Sequence, residues 1–151
     1  MTESFVIQSD IDNLPQVEER LFHFCREYNV GSYYSTVSVA VLQAVENAIL
    51  HGNGSDSSKH VTLSFGTCRG GIYVEVVDEG HGFDYSRYGD LPSDDQMAGE
   101  GIFVMHQLAD RLVFEEGGRK VRLEFEVSGI DPADALERVS VLQEHYQMVA
   151  A

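Results

Sequence analysis

Three segments, in a fixed order, constrain this chain more than any other feature of it. The first is Gln43-Ala-Val-Glu-Asn-Ala-Ile-Leu-His-Gly-Asn53, at the end of an apolar-periodic stretch. In the second, Ile72-Tyr-Val-Glu-Val-Val77 runs directly into Asp78-Glu-Gly-His-Gly-Phe-Asp84. The third is Gly99-Glu-Gly-Ile-Phe-Val-Met-His-Gln-Leu-Ala109. Any one Gly-x-Gly marks many ordinary turns. Their order relative to the helix and strand signals is what narrows the choice.

The first segment closes a helix predicted from about Ser35 to His51, with Val37, Val41, Val45, Ala48 and Ile49 recurring at helical spacing. Gln43 and Asn47 lie one turn apart, so both amides point the same way. Gly52 and the Asn-Gly after it break the helix. The second segment has the β-branched and aromatic content of a strand. The third reads as a tight turn opening an amphipathic helix over 101–110, where glycines let backbone N–H groups approach phosphates.

The rest of the chain fits around these segments. Its 151 residues suit one domain with one core. No run is apolar for long enough to cross a membrane, and the start lacks a basic-then-apolar export pattern. Cys25, on a predicted helix, and Cys68, in a loop between strands, have no ligand-like spacing; this suggests reduced thiols in a cytoplasmic protein. A formal charge of −15 argues against nonspecific nucleic-acid or anionic-membrane binding; it permits a basic protein partner and equally fits a feature that serves only solubility. Ser4–Gln8 is a first strand, and Asn13 with Pro15 opens a helix carrying Val17, Leu21, Phe24 and Cys25 inward. Residues 53–58 read as an exposed loop, and 60–65 with 72–77 as a hairpin. Residues 85–98 read as a mobile loop, followed after the 101–110 helix by strands 111–115 and 120–127. A final helix from Asp131 to about Met148 carries a stripe of Leu136, Val139, Leu142, Tyr146 and Val149. That stripe can dock on the domain or, in a homodimer, on a second subunit.

The helix with E-N-A-I-L-H-G-N, the strand ending D-E-G-H-G-F-D and the helix with G-E-G-I-F-V-M resemble, in that order, the Bergerat ATP-binding fold of the GHKL superfamily. Within it, the compact size and G-E-G-I-F-V-M-H-Q-L-A-D are most similar to anti-sigma factor serine-protein kinases of the RsbW type. The resemblance covers roughly Phe5 to Val127. It implies an α/β (α+β) two-layer sandwich over residues 1–128, with a mixed, mainly antiparallel sheet and helices on one face. Residues 129–151 are left as a helical extension. It also implies ATP and Mg2+ as ligands, and as partners an anti-anti-sigma protein of STAS type and a sigma factor.

Roles follow from the same resemblance. Asp78 would accept a hydrogen bond from the adenine amino group; a buried carboxylate without a partner is costly, which suits a ligand there. The competing reading is a turn aspartate capping Gly80 and Gly82 locally. Gly80 and Gly82 would let the backbone pass close to the base. Gly99 and Gly101, with the N–H groups of Ile102 and Phe103, would cradle phosphates. Asn47 matches the magnesium-ligating asparagine. His51 either reaches phosphates or ribose or caps its own helix. Residues 85–98 correspond to the lid over the nucleotide.

Two positions depart from the family pattern. Family enzymes usually carry a glutamate general base four residues before the magnesium asparagine, and here Gln43 stands there. An amide cannot take a proton, and general-base help is worth ~100- to 10,000-fold. Glu46 is rotated by about 100° from Asn47 on the helix and does not substitute. Arg119 stands where relatives often have a small threonine. Three functions therefore remain open: an ATP-dependent protein-serine kinase, a nucleotide-binding switch or scaffold without phosphotransfer, and an interaction domain without nucleotide. A histidine-kinase catalytic domain tolerates a non-acidic residue at Gln43, but this chain lacks room for a phosphoacceptor helical domain.

Overall fold

A computed structural model describes residues 2–85, 96–127 (96–100 by backbone only) and 143–144. The elements run β1 (Thr2–Gln8), α1 (Leu14–Glu27), α2 (Tyr34–Asn47), β2 (His60–Cys68), β3 (Gly71–Val77), α3 (Gln96–Leu108), β4 (Arg111–Glu115) and β5 (Lys120–Glu126). The strands form one sheet in the order β1-β2-β3-β5-β4. All four pairings are antiparallel, at the antiparallel end of the mixed sheet expected. Because β5 lies between β3 and β4, those two strands run in the same direction, and α3 makes the crossover between them.

Period-two alternation builds the sheet's inner face. Register sets Leu63 opposite Val76, Phe65 opposite Val74, Val74 opposite Leu123 and Val76 opposite Val121. All six side chains are buried, together with Val17, Leu21 and Phe24 of α1, Val37, Val41 and Val45 of α2, and Ile102, Met105 and Leu108 of α3. The other face is polar. There Lys120 Nζ lies 2.8 Å from Glu75, and the Arg122 guanidinium stacks 3.9 Å from the Tyr73 ring centroid. Cross-strand charge pairs of this kind suit a face in water.

Helix α2 is the central element, and its end is unusual. Ala48–Gly52 continues it as a π turn, closed by the Asn53 N–H donating to the Ala48 carbonyl at 2.8 Å. Thus the expected helix from about Ser35 to His51 is present, with its last turn widened.

Several local expectations change. Asn13 holds the N-cap position of α1, but its side chain makes no capping hydrogen bond; the side-chain cap is Asp10, on the turn before it. Asp10 is extended and accepts from the Asp12 N–H, starting a 3-10 turn that leads into α1. Asn13 already has helical dihedrals and donates its amide to the Gln8 carbonyl at 3.0 Å. Cys68 ends β2 and does not lie in a loop. Asn53 is buried and does not belong to an exposed loop. Residues 96–98 belong to α3 and not to the 85–98 loop. The remainder of that loop after Tyr85, and the 129–151 extension apart from residues 143–144, lie outside the described residues. Cys25 is buried, which pushes its thiol up to about 11 and leaves it unreactive near neutrality.

Candidate nucleotide-binding site

The end of α2, the facing ends of β3, β4 and β5, and one side of α3 enclose a cavity of about 220 Å3. Its apolar wall includes Val76, Phe83, Ile102, Met105, Phe114 and Val121; its polar groups come from Asn47, His51, Asp78 and Arg119. That volume falls below the roughly 300–1,000 Å3 of pockets for drug-sized ligands.

Asp78 sits on the floor. It is 9% exposed, its Oδ1 accepts from the Gly80 N–H at 2.8 Å, and its own N–H donates to the Arg119 carbonyl at 2.9 Å. Burial raises its carboxyl pKa, and the Gly80 N–H and the Arg119 charge oppose the rise. The local cap foreseen for Asp78 therefore exists toward Gly80, yet it engages one oxygen and leaves Oδ2 without a protein donor among the described residues.

Close backbone packing creates this floor. A β-carbon on Gly52 would lie 2.5 Å from Cγ of Asp78, and one on Gly80 would run into the Gly52 carbonyl. Gly82, at φ +80°, passes against the Gly117 carbonyl, to which Phe83 N–H donates at 2.9 Å. The Gly-His-Gly segment is thus shaped by contact with the helix end and with the turn before β5. Phe83 then meets Phe114 edge-on at 5.5 Å, and Tyr85 stacks on Phe114 at 5.1 Å.

Asn53 ties these pieces together. Its amide nitrogen donates to Ser9 Oγ at 2.7 Å and to the His60 carbonyl at 3.0 Å, while its oxygen accepts from the Glu79 N–H at 2.8 Å. One buried side chain therefore joins the π turn of α2 to β1, to β2 and to the residue following Asp78. His60 N–H also donates to the Glu79 carboxylate.

Of the residues singled out from sequence, Asn47, His51, Asp78, Gly82 and Ile102 line the cavity. Gly80 underlies Asp78. A β-carbon on Gly101 would lie 2.9 Å from the Asn47 amide nitrogen, so this glycine lets α3 approach Asn47 closely. Phe103 packs against the core instead. Gln43 stands one turn before Asn47, beyond the lining formed by Ala44, Asn47, Ala48 and His51. The expected tight turn at Gly99 is absent. Helix α3 already starts at Gln96, because Gln96-Met-Ala are good helix formers. Gly99 lies in its first turn, and the N–H groups of Gly101, Ile102 and Phe103 point back along the helix to carbonyls four residues earlier.

Residues 7–125 match the family of histidine kinase-like ATPase domains. The chain belongs to this family. Among related proteins, the anti-sigma F factors of Clostridium botulinum strains Eklund 17B (type B) and Alaska E43 (type E3) are each 29% identical over 102 residues, spanning 59% of this chain and 68% of theirs. The histidine kinase-like ATPase assignment agrees with the GHKL resemblance and with the five-stranded sheet backed by helices, and it implies nucleotide binding. Among the described residues no helix is long and apolar enough to cross a membrane.

Sequence reading missed Gly52, Asn53, Phe83 and Phe114. In sequence Gly52 reads only as a helix breaker, although its place directly after the E-N-A-I-L-H run is a hint of close packing. Phe83 and Phe114 are 31 residues apart in the chain, and only the fold brings them together.

Proposed function

We infer that this chain binds Mg-ATP in the cavity and uses the bound state to regulate a protein partner, as an anti-sigma factor of the serine-kinase type. The observation that carries the reading is the buried Asp78 carboxylate, with one oxygen held by Gly80 and the other left for a ligand donor. An exocyclic amine on a planar base supplies that donor, and Val76, Ile102, Met105 and Phe114 supply the apolar slot around it.

The donor set fits magnesium of the nucleotide-bound kind. Among the described residues no group of three or more His, Cys, Asp or Glu could hold a bare metal ion. Asn47 presents one amide to the cavity, and one protein oxygen plus phosphate oxygens and waters is how Mg2+ is usually held. When bound, the ion would neutralise phosphate charge. Asn47 would orient it, and His51 would face the ribose or phosphates. The phosphates would reach the first turn of α3, where the N–H groups of Gln96, Met97 and Ala98 are not committed to the helix; using the Gly99, Gly101, Ile102 and Phe103 amides requires that turn to unwind.

The partners of this reading are an anti-anti-sigma protein of STAS type and a sigma factor. In transfer, a partner serine would attack the γ-phosphate in line. Gln43 favours a second reading, an ATP-dependent switch that binds its partners without phosphorylating them, since no carboxylate occupies the base position.

Calorimetric titration of ATP, with and without Mg2+, into the protein and into Asp78→Asn tests the site. Magnesium-dependent binding that Asp78→Asn abolishes is the expected result. Absence of binding by the unsubstituted protein would leave only a domain kept for protein contacts. Incubation with labelled ATP and a STAS-type partner then separates kinase from switch.

A further inference from the structure

Arg119 is the one lysine or arginine among the described residues lining the cavity. Its main chain is bonded to that of Asp78, so the two residues are neighbours, Asp78 buried and Arg119 exposed. Its Nε donates to the Glu116 carbonyl at 3.3 Å, which orients the guanidinium and leaves both terminal amino groups unspent. Among the described residues no carboxylate forms an ion pair with it, unlike Arg20, Arg111 and Arg122. Its charge is nonetheless felt at Asp78.

Position along α2 decides which part of a ligand it meets. Asn47 and Gly52 are five residues apart, at opposite ends of the π turn. Asn47 marks the phosphate end, and Gly52, under the Asp78 carboxylate, marks the base end. Arg119 belongs to the base end. There Asp78 offers a single free acceptor and Arg119 offers planar donors. A purine carrying an amine beside a ring-nitrogen acceptor matches that pair, because in adenine the N6 amine is flanked by N1 and N7.

We propose that Arg119 is a base-reading residue of this site, donating a hydrogen bond to the ring nitrogen next to the amine that Asp78 accepts. The proposal rests on the reading that the cavity binds ATP. It assigns base recognition to an acceptor–donor pair of charged side chains, with the guanidinium as the donor.

The test is a set of titrations of ATP, 1-deaza-ATP, 7-deaza-ATP and adenosine into the unsubstituted protein and Arg119→Ala. In the unsubstituted protein, one deaza analogue should bind about tenfold more weakly than ATP, the size of a charge-assisted hydrogen bond. In Arg119→Ala that analogue and ATP should bind alike, and adenosine should lose as much as ATP does. An unchanged analogue ratio in Arg119→Ala overturns the proposal. So does a loss confined to ATP and spared in adenosine, which would place Arg119 on phosphate. If Arg119→Ala does not fold, equal binding of all three triphosphates by the unsubstituted protein overturns it equally. No ATP binding at all fails the ATP reading itself, a different result from intact binding without discrimination.

Discussion

The carboxylate of Asp78 lies where a side chain on Gly52 would begin. The last residue of the π turn that ends α2 must therefore be glycine for the cavity floor to exist. Gly52→Ala would displace either the helix end or Asp78, and both are boxed in, since Gly80 packs on the Gly52 carbonyl from the other side. The expected cost is about 1–3 kcal/mol, the usual range for overpacking, read as a lower midpoint in urea. ATP affinity should fall more than that stability loss explains. Gly31→Ala, with nothing within 4 Å of the added carbon, is the control and should be close to neutral.

Asn53 makes a second testable joint. Asn53→Ala would take a buried partner from Ser9 Oγ and part-buried partners from the Glu79 N–H and the His60 carbonyl, at a cost of about 1–3 kcal/mol. Asn53→Asp keeps an acceptor for Glu79 but sets a carboxylate against the His60 carbonyl and Ser9 Oγ. Its stability deficit should therefore shrink as pH falls and the new carboxyl is protonated. Urea melts of both variants across acid to neutral pH check this; a pH-independent deficit in Asn53→Asp would contradict the bonding described.

Much of this arrangement was legible in the sequence, for identifiable reasons. The core of α2 and the β2–β3 hairpin show clear 3.6- and 2-residue periods, and burial on one face enforces those periods. Asp78 was legible because a strand ran straight into a glycine-rich turn. The role of Asn53 was not, since Asn-Gly-Ser-Asp has the composition of any exposed turn and only packing by Ser9 and His60 buries its first residue. Asp10 and Asn13 are both good caps three residues apart, and only backbone geometry decides that Asp10 makes the side-chain cap while Asn13 takes the N-cap position of α1. The start of α3 moved because a glycine pair inside a helix reads locally like a turn before one.

The raised pKa of Asp78 gives two opposite pH dependences. Burial is its main cause, so the folded state holds the proton more tightly than the unfolded chain. Asp78 thus contributes a fall in stability as pH rises from the ordinary carboxylate range through the raised folded value, and nothing further above it. Asp78→Asn removes that slope and should be more stable than the parent at neutral pH. Nucleotide binding runs the other way, since the ionised form is the better acceptor. Affinity for ATP should weaken as pH falls through the same interval. Parallel urea melts and titrations over that interval measure both, and a parent protein more stable than Asp78→Asn at neutral pH would refute the burial argument.

Gln43 offers the sharpest functional test. It stands one turn before Asn47 on the helix that faces the cavity, where its amide can hold a water or hydroxyl but cannot accept a proton. Gln43→Glu changes one atom pair and no volume, so the fold should be retained. If phosphotransfer in this chain is limited by the missing base, the substitution should raise serine phosphorylation of a STAS-type partner, or ATP hydrolysis in its absence, by ~100-fold or more. If the transition state is loose and little proton removal is needed early, the gain should be small and the parent already active. Single-turnover assays with labelled ATP distinguish these. A parent without turnover, a variant with it, and equal ATP affinity in both would mark the natural protein as a nucleotide-bound switch whose chemistry was lost at one side chain.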